Sequence, residues 1–257
     1  MAQRYVRVQS REGQVYYGLL QLSLDVQILD APPWLQGQPT DLSLEPDSYH
    51  ILAPCSPSKI LAVGRNYADH AAEMGNQVPK EPLIFFKPPT SIIACDAEIQ
   101  YPPHSERVDY EGELALIIGE RAVDCTPESA QEKIWGYTIA NDVTARDLQK
   151  KDIQFTRAKG FDTFCPLGPW IVRELNPGAR LQTFLNDDMK PVQSACIDEM
   201  VFTPDFIVSY ISQVMTLLPG DVILTGTPVG VGPLKLGDRV RVEIEGIGRL
   251  ENTVTSR

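Results

Sequence analysis

Several chemistries are scarce or missing in this chain. Cysteine occurs five times in 257 residues, at 55, 95, 125, 165 and 196. The number is odd, the positions are scattered, and no C-x-x-C pair forms, which argues against a disulfide framework and against a thiolate zinc site. Reduced, mostly buried thiols are the expected state, and the cytoplasm is the expected compartment. No apolar run approaches the roughly 18 residues that a membrane span needs. The first residues, Met1 to Gly13, mix Arg, Gln and Glu and contain no apolar signal core. Basic residues are also in deficit: 23 Lys and Arg face 34 Asp and Glu, a net charge of -11. A surface of that sign repels phosphate backbones and anionic lipids, so nucleic-acid and membrane partners are not expected. An anionic substrate stays open, because a metal or a local lysine inverts the field inside a cleft. No internal repeat or low-complexity tract is present.

Apolar residues make up 43% of the chain. That is enough core for one large domain, or for one domain with a small appendage. Tyr5 to Leu29 reads as short strands joined by a turn (RYVRVQS, VYYGLL, VQIL). The proline-rich stretch Ala31 to Pro57 reads as a connector, which sets a small β subdomain and connector over 1–55 apart from a main body over 56–257. In the main body, strands are expected at Ile60–Val63, Leu83–Phe86, Glu111–Ile118, within GYTIAN, and at Trp170–Val172, Val222–Thr225 and Arg239–Ile244. Helices are expected over Tyr67–Met74, Thr144–Lys151 and part of Val201–Leu218. Strands outnumber helices and are irregularly spaced, so the expected class is α+β, mostly β, rather than an alternating βαβ sheet.

Asp109-Tyr110-Glu111-Gly112-Glu113 places three carboxylates in five residues at the front of an apolar strand. On a continuous strand, 109, 111 and 113 share one face. Three carboxylates on one face repel unless a cation sits among them, and oxygen-only ligands favour Mg²⁺, Mn²⁺ or Ca²⁺. Asp142, at the end of the strand GYTIAN, could add a ligand; read alone, Asn141 or Asp142 is better explained as a cap for the following helix. His70 and Glu73 stand three apart on a helix, within reach of each other. A carboxylate beside an imidazole suits a general base, although an isolated H-x-x-E is more often an ordinary surface pair. His50 and His104 lie in proline-rich loops without an obvious partner. Lys159 stands at a polar-to-apolar edge, where it could bind a substrate carboxylate or enolate, or simply pack its stem and face solvent. The loop TGTPVGVGP at 225–233 lacks the Lys-Ser/Thr ending of a phosphate loop, and Pro233 forbids a helix directly after it, so nucleotide binding is rejected. Its N–H groups and threonines could still hold an anion.

These pieces occur together and in one order. VGRNYADHAAEM, KEPLIFFKPPTS, VDYEGELALIIG, GYTIANDVTARDLQ, AKGFDTFCPLGP and PGDVILTGTPVGVGP, spread over about residues 58 to 250, resemble the fumarylacetoacetate hydrolase family. The resemblance implies a rolled, mixed β-sheet fold with few helices, a homodimer, and a small N-terminal β subdomain. It implies a Mg²⁺ or Mn²⁺ site made by Glu111, Glu113 and Asp142, with Ca²⁺ as a structural surrogate. It also implies a His70–Glu73 dyad acting on water, Lys159 and Gln149 at the substrate's oxo-acid end, Thr227 on its carboxylate, and Arg65 and Asn66 lining the site. Asp109 falls outside that ligand set.

The implied substrate is a small 2-oxo acid or 1,3-dicarbonyl compound. The leading expectation is hydrolysis of a carbon–carbon bond in an acylpyruvate. Tautomerisation or decarboxylation of oxaloacetate and isomerisation of a hydroxy-dienedioate are the alternatives. Departures from the family pattern (Phe155 where Trp is frequent, Gly160 where Ser or Thr is frequent, and the segment LNDDMKPVQ) bear on substrate preference rather than on the metal ligands.

Overall fold

The computed structural model describes residues 3–257; Met1 and Ala2, which the expected subdomain also included, lie outside the described residues. The strand content follows from runs such as RVRVEI, where alternate side chains are buried and the rest are half-exposed. One twelve-stranded sheet dominates. Its main path runs Pro39–Leu44, Val26–Leu29, Val15–Leu20, Arg4–Ser10, Cys165–Val172, Ile134–Asn141, Gly112–Ile118, Val222–Leu224, Ile60–Gly64, Leu83–Lys87. Most neighbours are antiparallel, but Val222–Leu224 runs parallel to Ile60–Gly64. A five-stranded sheet (Gln193–Cys196, Arg180–Leu185, Arg239–Ile244, Gly248–Ser256, Glu98–Tyr101) and a three-stranded one (Thr144–Ala145, Val108–Tyr110, Gly232–Pro233) complete the fold. The class is α+β and mostly β, with mixed, rolled sheets.

The strand Gly112–Ile118 is buried along its whole length. Leu114, Leu116 and Ile118 enter one hydrophobic cluster, while Ala115 and Ile117 enter another on the opposite face. A strand covered on both faces needs no polar alternation, which is why GELALII reads as a near-continuous apolar run. The five-stranded sheet presses on its first residue: a Cβ at Gly112 would lie 2.3 Å from Thr183 Oγ1. Only glycine fits between the two glutamates.

The stretch 31–57 is more than a connector. It contains a 3-10 turn at Pro33–Leu35 and strands at Pro39–Leu44 and Tyr49–Leu52. The former strand is largely exposed and lies at the sheet edge, where a leading proline costs no ladder bond; its polar sequence hid it. Tyr5 pairs with Ile171, so the N-terminal strands continue the main sheet. Trp34 packs into the same cluster as Ile60, Val222 and Leu224.

Two further differences concern the site. The helix expected from Thr144 begins at Arg146, because Thr144 and Ala145 pair with Val108–Tyr110. Glu111 is not part of a continuous strand: it separates Val108–Tyr110 from Gly112–Ile118, which belong to different sheets. No helix among the described residues is long and apolar enough to cross a membrane.

Candidate active site

Three chain segments bring the acids together. Glu111 stands at the break between two strands, Glu113 is the second residue of the buried strand, and Asp142 follows the strand Ile134–Asn141. Antiparallel pairing of Gly112 with Asn141 sets the strand end that carries Asp142 beside the glutamates. The Asn141 side chain accepts the Glu111 N–H at 2.9 Å, and the Glu111 carbonyl accepts the Asp142 N–H at 2.8 Å. One carboxylate oxygen from each of Glu111, Glu113 and Asp142 lies within 4.8 Å of the others, and all three residues are buried.

Buried carboxylates require compensation. Lys159 donates to Glu111 Oε2 at 2.7 Å and to Asp142 Oδ2 at 2.5 Å. Arg146 bonds Glu111 Oε1 through one terminal nitrogen and Asp109 Oδ2 through Nε at 2.8 Å. Burial works against ionisation of Glu111, but Lys159 and Arg146 reverse that and hold its carboxyl far below the usual carboxylate range. Burial also works against a charged Lys159, and Asp142 and Glu111 outweigh it, so its ammonium holds its proton more firmly than usual.

Glu113 differs from its neighbours. Its hydrogen bond comes from the Gly226 N–H at 2.7 Å. Burial, then repulsion from Asp142 and Glu111, pushes its carboxyl well above the usual range. Gly226 has φ +102, and a Cβ there would meet the Asn66 side chain at 2.7 Å, so the close approach depends on glycine. Asp142 Oδ1 accepts no hydrogen bond. Lys87 lies 2.7 Å from it as an ion pair, but its directed bonds go to the carbonyls of Lys159 at 2.6 Å and Val143 at 3.4 Å. A carboxyl pushed toward neutrality by two others and an all-oxygen donor set fit a hard divalent cation such as Mg²⁺ or Mn²⁺.

The acids open onto a cleft of about 250 Å³ whose walls include Arg65, His70, Phe85, Gln149, Lys159 and Thr227. His70 is buried on the short helix Ala68–Glu73 and meets Glu73 across one turn, Nδ1 to Oε2 at 3.2 Å. Glu73 is fastened from the other side, because the Gly230 N–H donates to its carboxylate at 3.1 and 3.2 Å. This anchoring separates the pair from an ordinary surface H-x-x-E. Gln149 Oε1 accepts from Arg146 at 2.6 Å. Thr227 donates to the Gly112 carbonyl at 2.9 Å and accepts from Gln193 Nε2 at 2.8 Å.

Asn66, expected on the wall, is turned away from the cleft. It is fully buried; its amide donates to the carbonyls of Phe202 and Thr225, and its oxygen accepts the Phe202 N–H. It ties the Gly64–Tyr67 turn to the backbone behind it. Asp109 does not share a strand face with Glu113, because the break at Glu111 puts the two in different sheets, and it is spent on Arg107 and Arg146. Arg146 and Lys87 were missed in the sequence. The available signal was charge balance: buried acids in ANDVTARD require buried cations, and FFKPP places a lysine at the end of an apolar strand.

Comparison with known proteins agrees with this geometry. Residues 59–255 match the family described as fumarylacetoacetate (FAA) hydrolase C-terminal, and residues 3–54 match one described as Rv2993c-like, N-terminal. An oxaloacetate tautomerase, FAHD1, from the mitochondria of Arabidopsis thaliana is 42% identical over 205 residues, covering 78% of this chain and 92% of that protein. The crystal structure of a 2-hydroxyhepta-2,4-diene-1,7-dioate isomerase from Mycobacterium marinum superposes with a TM-score of 0.90 at 41% identity, covering 99% of each chain. That of a fumarylpyruvate hydrolase from Pseudomonas aeruginosa, in complex with Mn²⁺ and pyruvate, has a TM-score of 0.75 at 32% identity, covering 85% of this chain and 93% of that one. The chain belongs to the fumarylacetoacetate hydrolase family.

Proposed function

We propose that this chain is a divalent-metal-dependent enzyme that forms and quenches the enolate of a small 2-oxo acid, with tautomerisation or isomerisation as its main reaction. The observation that carries this reading is the buried cluster of Glu111, Glu113 and Asp142, opening onto a cleft that His70 also lines. Glu111, Glu113 and Asp142 would hold Mg²⁺ or Mn²⁺. When bound, the cation supplies Lewis-acid polarisation of the 2-oxo carbonyl and positive charge for the enolate oxygen.

The protein's own groups do the rest. Lys159 and Arg146, both held charged by their carboxylate partners, add fixed positive charge beside the acids. Gln149, oriented by Arg146, and Thr227 present polar groups to the oxo-acid end. Glu73, pinned by the Gly230 N–H, orients the His70 ring, and His70 takes a proton from the carbon next to the carbonyl and returns it at the new position. A proton shift needs one such base and no second reactant. The relatives named as a tautomerase and an isomerase, both above 40% identity, support this reading.

Hydrolysis of an acylpyruvate is the second reading, and the anchored dyad favours it, because the same His70 could activate water against a second carbonyl. The structural neighbour named as a fumarylpyruvate hydrolase supports this second reading. The test is a proton NMR time course with Mg²⁺ and, separately, with EDTA. Accelerated enol–keto exchange of oxaloacetate without loss of carbon supports the tautomerase. Acetate and pyruvate formed from acetylpyruvate at a higher kcat/KM would shift the assignment to hydrolase. Turnover unaffected by EDTA would defeat both.

A further inference from the structure

The segment LNDDMKPVQ, which departs from the family pattern, ends at Gln193. That residue does not line the cleft, yet it touches two of the cleft's parts. It begins the strand Gln193–Cys196 of the five-stranded sheet and is 1% exposed. Its amide makes four hydrogen bonds. Oε1 accepts the Gly112 N–H at 3.0 Å and the Thr183 hydroxyl at 2.8 Å. Nε2 donates to Thr227 Oγ1 at 2.8 Å and to the Pro228 carbonyl at 2.9 Å. A backbone N–H only donates and a carbonyl only accepts, so Gly112 and Pro228 fix which end of the amide is oxygen. The Thr227 hydroxyl, receiving from Nε2, turns its single proton to the Gly112 carbonyl at 2.9 Å. Both backbone groups of the glycine between Glu111 and Glu113 are thus tied, directly or through Gln193, to the loop 225–230.

That loop has no strand ladder to hold it. Pairing between Gly112–Ile118 and Val222–Leu224 stops where Ala115 meets Leu224. Beyond that point the Leu114 carbonyl accepts the N–H of Thr225 at 3.0 Å and its hydroxyl at 2.9 Å. The next N–H, of Gly226, goes to the Glu113 carboxylate at 2.7 Å. Four residues on, the Gly230 N–H goes to the Glu73 carboxylate at 3.1 and 3.2 Å. One loop therefore holds both an acid of the buried cluster and the acid that orients His70. Between these two points it is fastened at Thr227 and Pro228, and Gln193 bonds both. The residue before Gln193 also presses on the loop: a Cβ at Gly230 would lie 2.0 Å from the Val192 carbonyl oxygen. A buried glutamine with all its donors and acceptors used has an ordinary role, joining two layers of a fold. That role alone gives no reason for its partners to be the residue between two cluster acids and the middle of this loop.

We propose that Gln193 is a positioning residue: by fixing the middle of the loop 225–230 against Gly112, it sets the Glu113 carboxylate and the Glu73–His70 pair in one frame. This rests on the reading of Glu111, Glu113 and Asp142 as a cation site. The amide is what the position requires. Glutamate would keep the acceptor for Gly112 and Thr183 but set a carboxylate oxygen against the Pro228 carbonyl. Methionine would keep the bulk and supply neither donor nor a good acceptor.

The experiment compares Gln193→Met, Gln193→Glu and Thr183→Val with the wild type. Mg²⁺ affinity is read by calorimetry on the substrate-free protein, and kcat at saturating Mg²⁺, both per folded molecule. Gln193→Met is expected to weaken Mg²⁺ about tenfold and to lower kcat about tenfold, the low end for losing a group that orients a metal ligand. Gln193→Glu removes only the donation to the loop and should act in the same direction; it carries the test if Gln193→Met does not fold. Thr183→Val is the structural control. The Thr183 hydroxyl donates to Gln193 Oε1 on the side away from the loop, so its loss should lower the melting temperature and leave Mg²⁺ affinity and kcat unchanged. Unchanged Mg²⁺ affinity or unchanged kcat in the Gln193 variants overturns the inference and leaves Gln193 a structural residue, whatever the melting temperature. Thr183→Val weakening Mg²⁺ as much as the Gln193 variants overturns it too. A wild type that binds no Mg²⁺ overturns the cation-site reading along with it.

Discussion

Two buried acidic sites in this molecule carry charge in opposite ways. Asp221, fully buried just before the interior strand Val222–Leu224, accepts from Ser58 Oγ at 2.6 Å, from the N–H groups of Lys59 at 3.2 Å and Leu218 at 2.7 Å, and from the Lys59 ammonium. One carboxylate meets one cation and three further donors; nothing is left to bind. The Glu111–Glu113–Asp142 cluster puts three carboxylates in one place; Lys159, Arg146 and Lys87 meet Glu111 and Asp142, but Glu113 has no cation partner and is forced toward its protonated form. A structural acid is satisfied from within. A site acid retains a deficit that a ligand from outside removes, and the fold tolerates that deficit only where surrounding packing is secure.

Substitutions should separate the two sites. Glu113→Gln is expected to cost about 100-fold or more in kcat, the scale of losing a principal electrostatic group at an active site. It should leave the melting temperature of the metal-free protein unchanged or raised, because it removes like-charge repulsion. Asp221→Ala should do the reverse. It leaves buried donors without an acceptor and should cost about 3 kcal/mol, near the low end for a broken buried pair because Lys59 can reach water. Activity per folded molecule should persist. Denaturant melts and steady-state rates on both variants check the pair; a large stability loss in Glu113→Gln would break the contrast.

The dyad sharpens it further. His70→Gln should lower kcat by about 100-fold, at the modest end of general-base contributions, with metal affinity unchanged by calorimetry. Glu73→Gln keeps a ring partner and should cost less. If His70→Gln weakened Mg²⁺ binding as much as turnover, His70 would belong to the cation's surroundings instead.

The smallest effect is on pH. Burial, then Asp142 and Glu111, hold the Glu113 carboxyl above its ordinary value. A raised folded-state value favours the metal-free fold below the ordinary carboxylate range, and that contribution is lost as pH rises through the raised value. Cation binding requires the ionised carboxylate, so it releases a proton. Mg²⁺ affinity should therefore fall by up to about tenfold per pH unit below the raised value, and calorimetry in buffers of different ionisation heat should register about one proton. A flat pH profile would place Glu113 among the satisfied acids, with Asp221.

Much of this was legible in the sequence, for local reasons. The apolar run after Glu113 could only be a buried strand, and the N-terminal strands announced themselves by alternation and turns. The edge strand Pro39–Leu44 did not, because an exposed strand carries no apolar signature. At the site, residue types and spacing picked out His70 with Glu73 and the E-G-E pair. They could not distinguish Asn66, which ties loops together behind the cleft, from Arg65, which lines it, since the two are adjacent in sequence and differ only in which way the turn faces. Nor could they find Arg146 as the partner of both Asp109 and Glu111.

The sequence by itself determined the class of fold, the family, and the acids available for a cation, because these depend on patterns within single segments. The tertiary structure decided which acids meet, which cations neutralise them, and which carboxyl is left without a cation partner. Those properties depend on distances between residues far apart in the chain, such as Glu73 and Gly230, 157 positions apart. Chain packing sets such distances, and no local pattern records them.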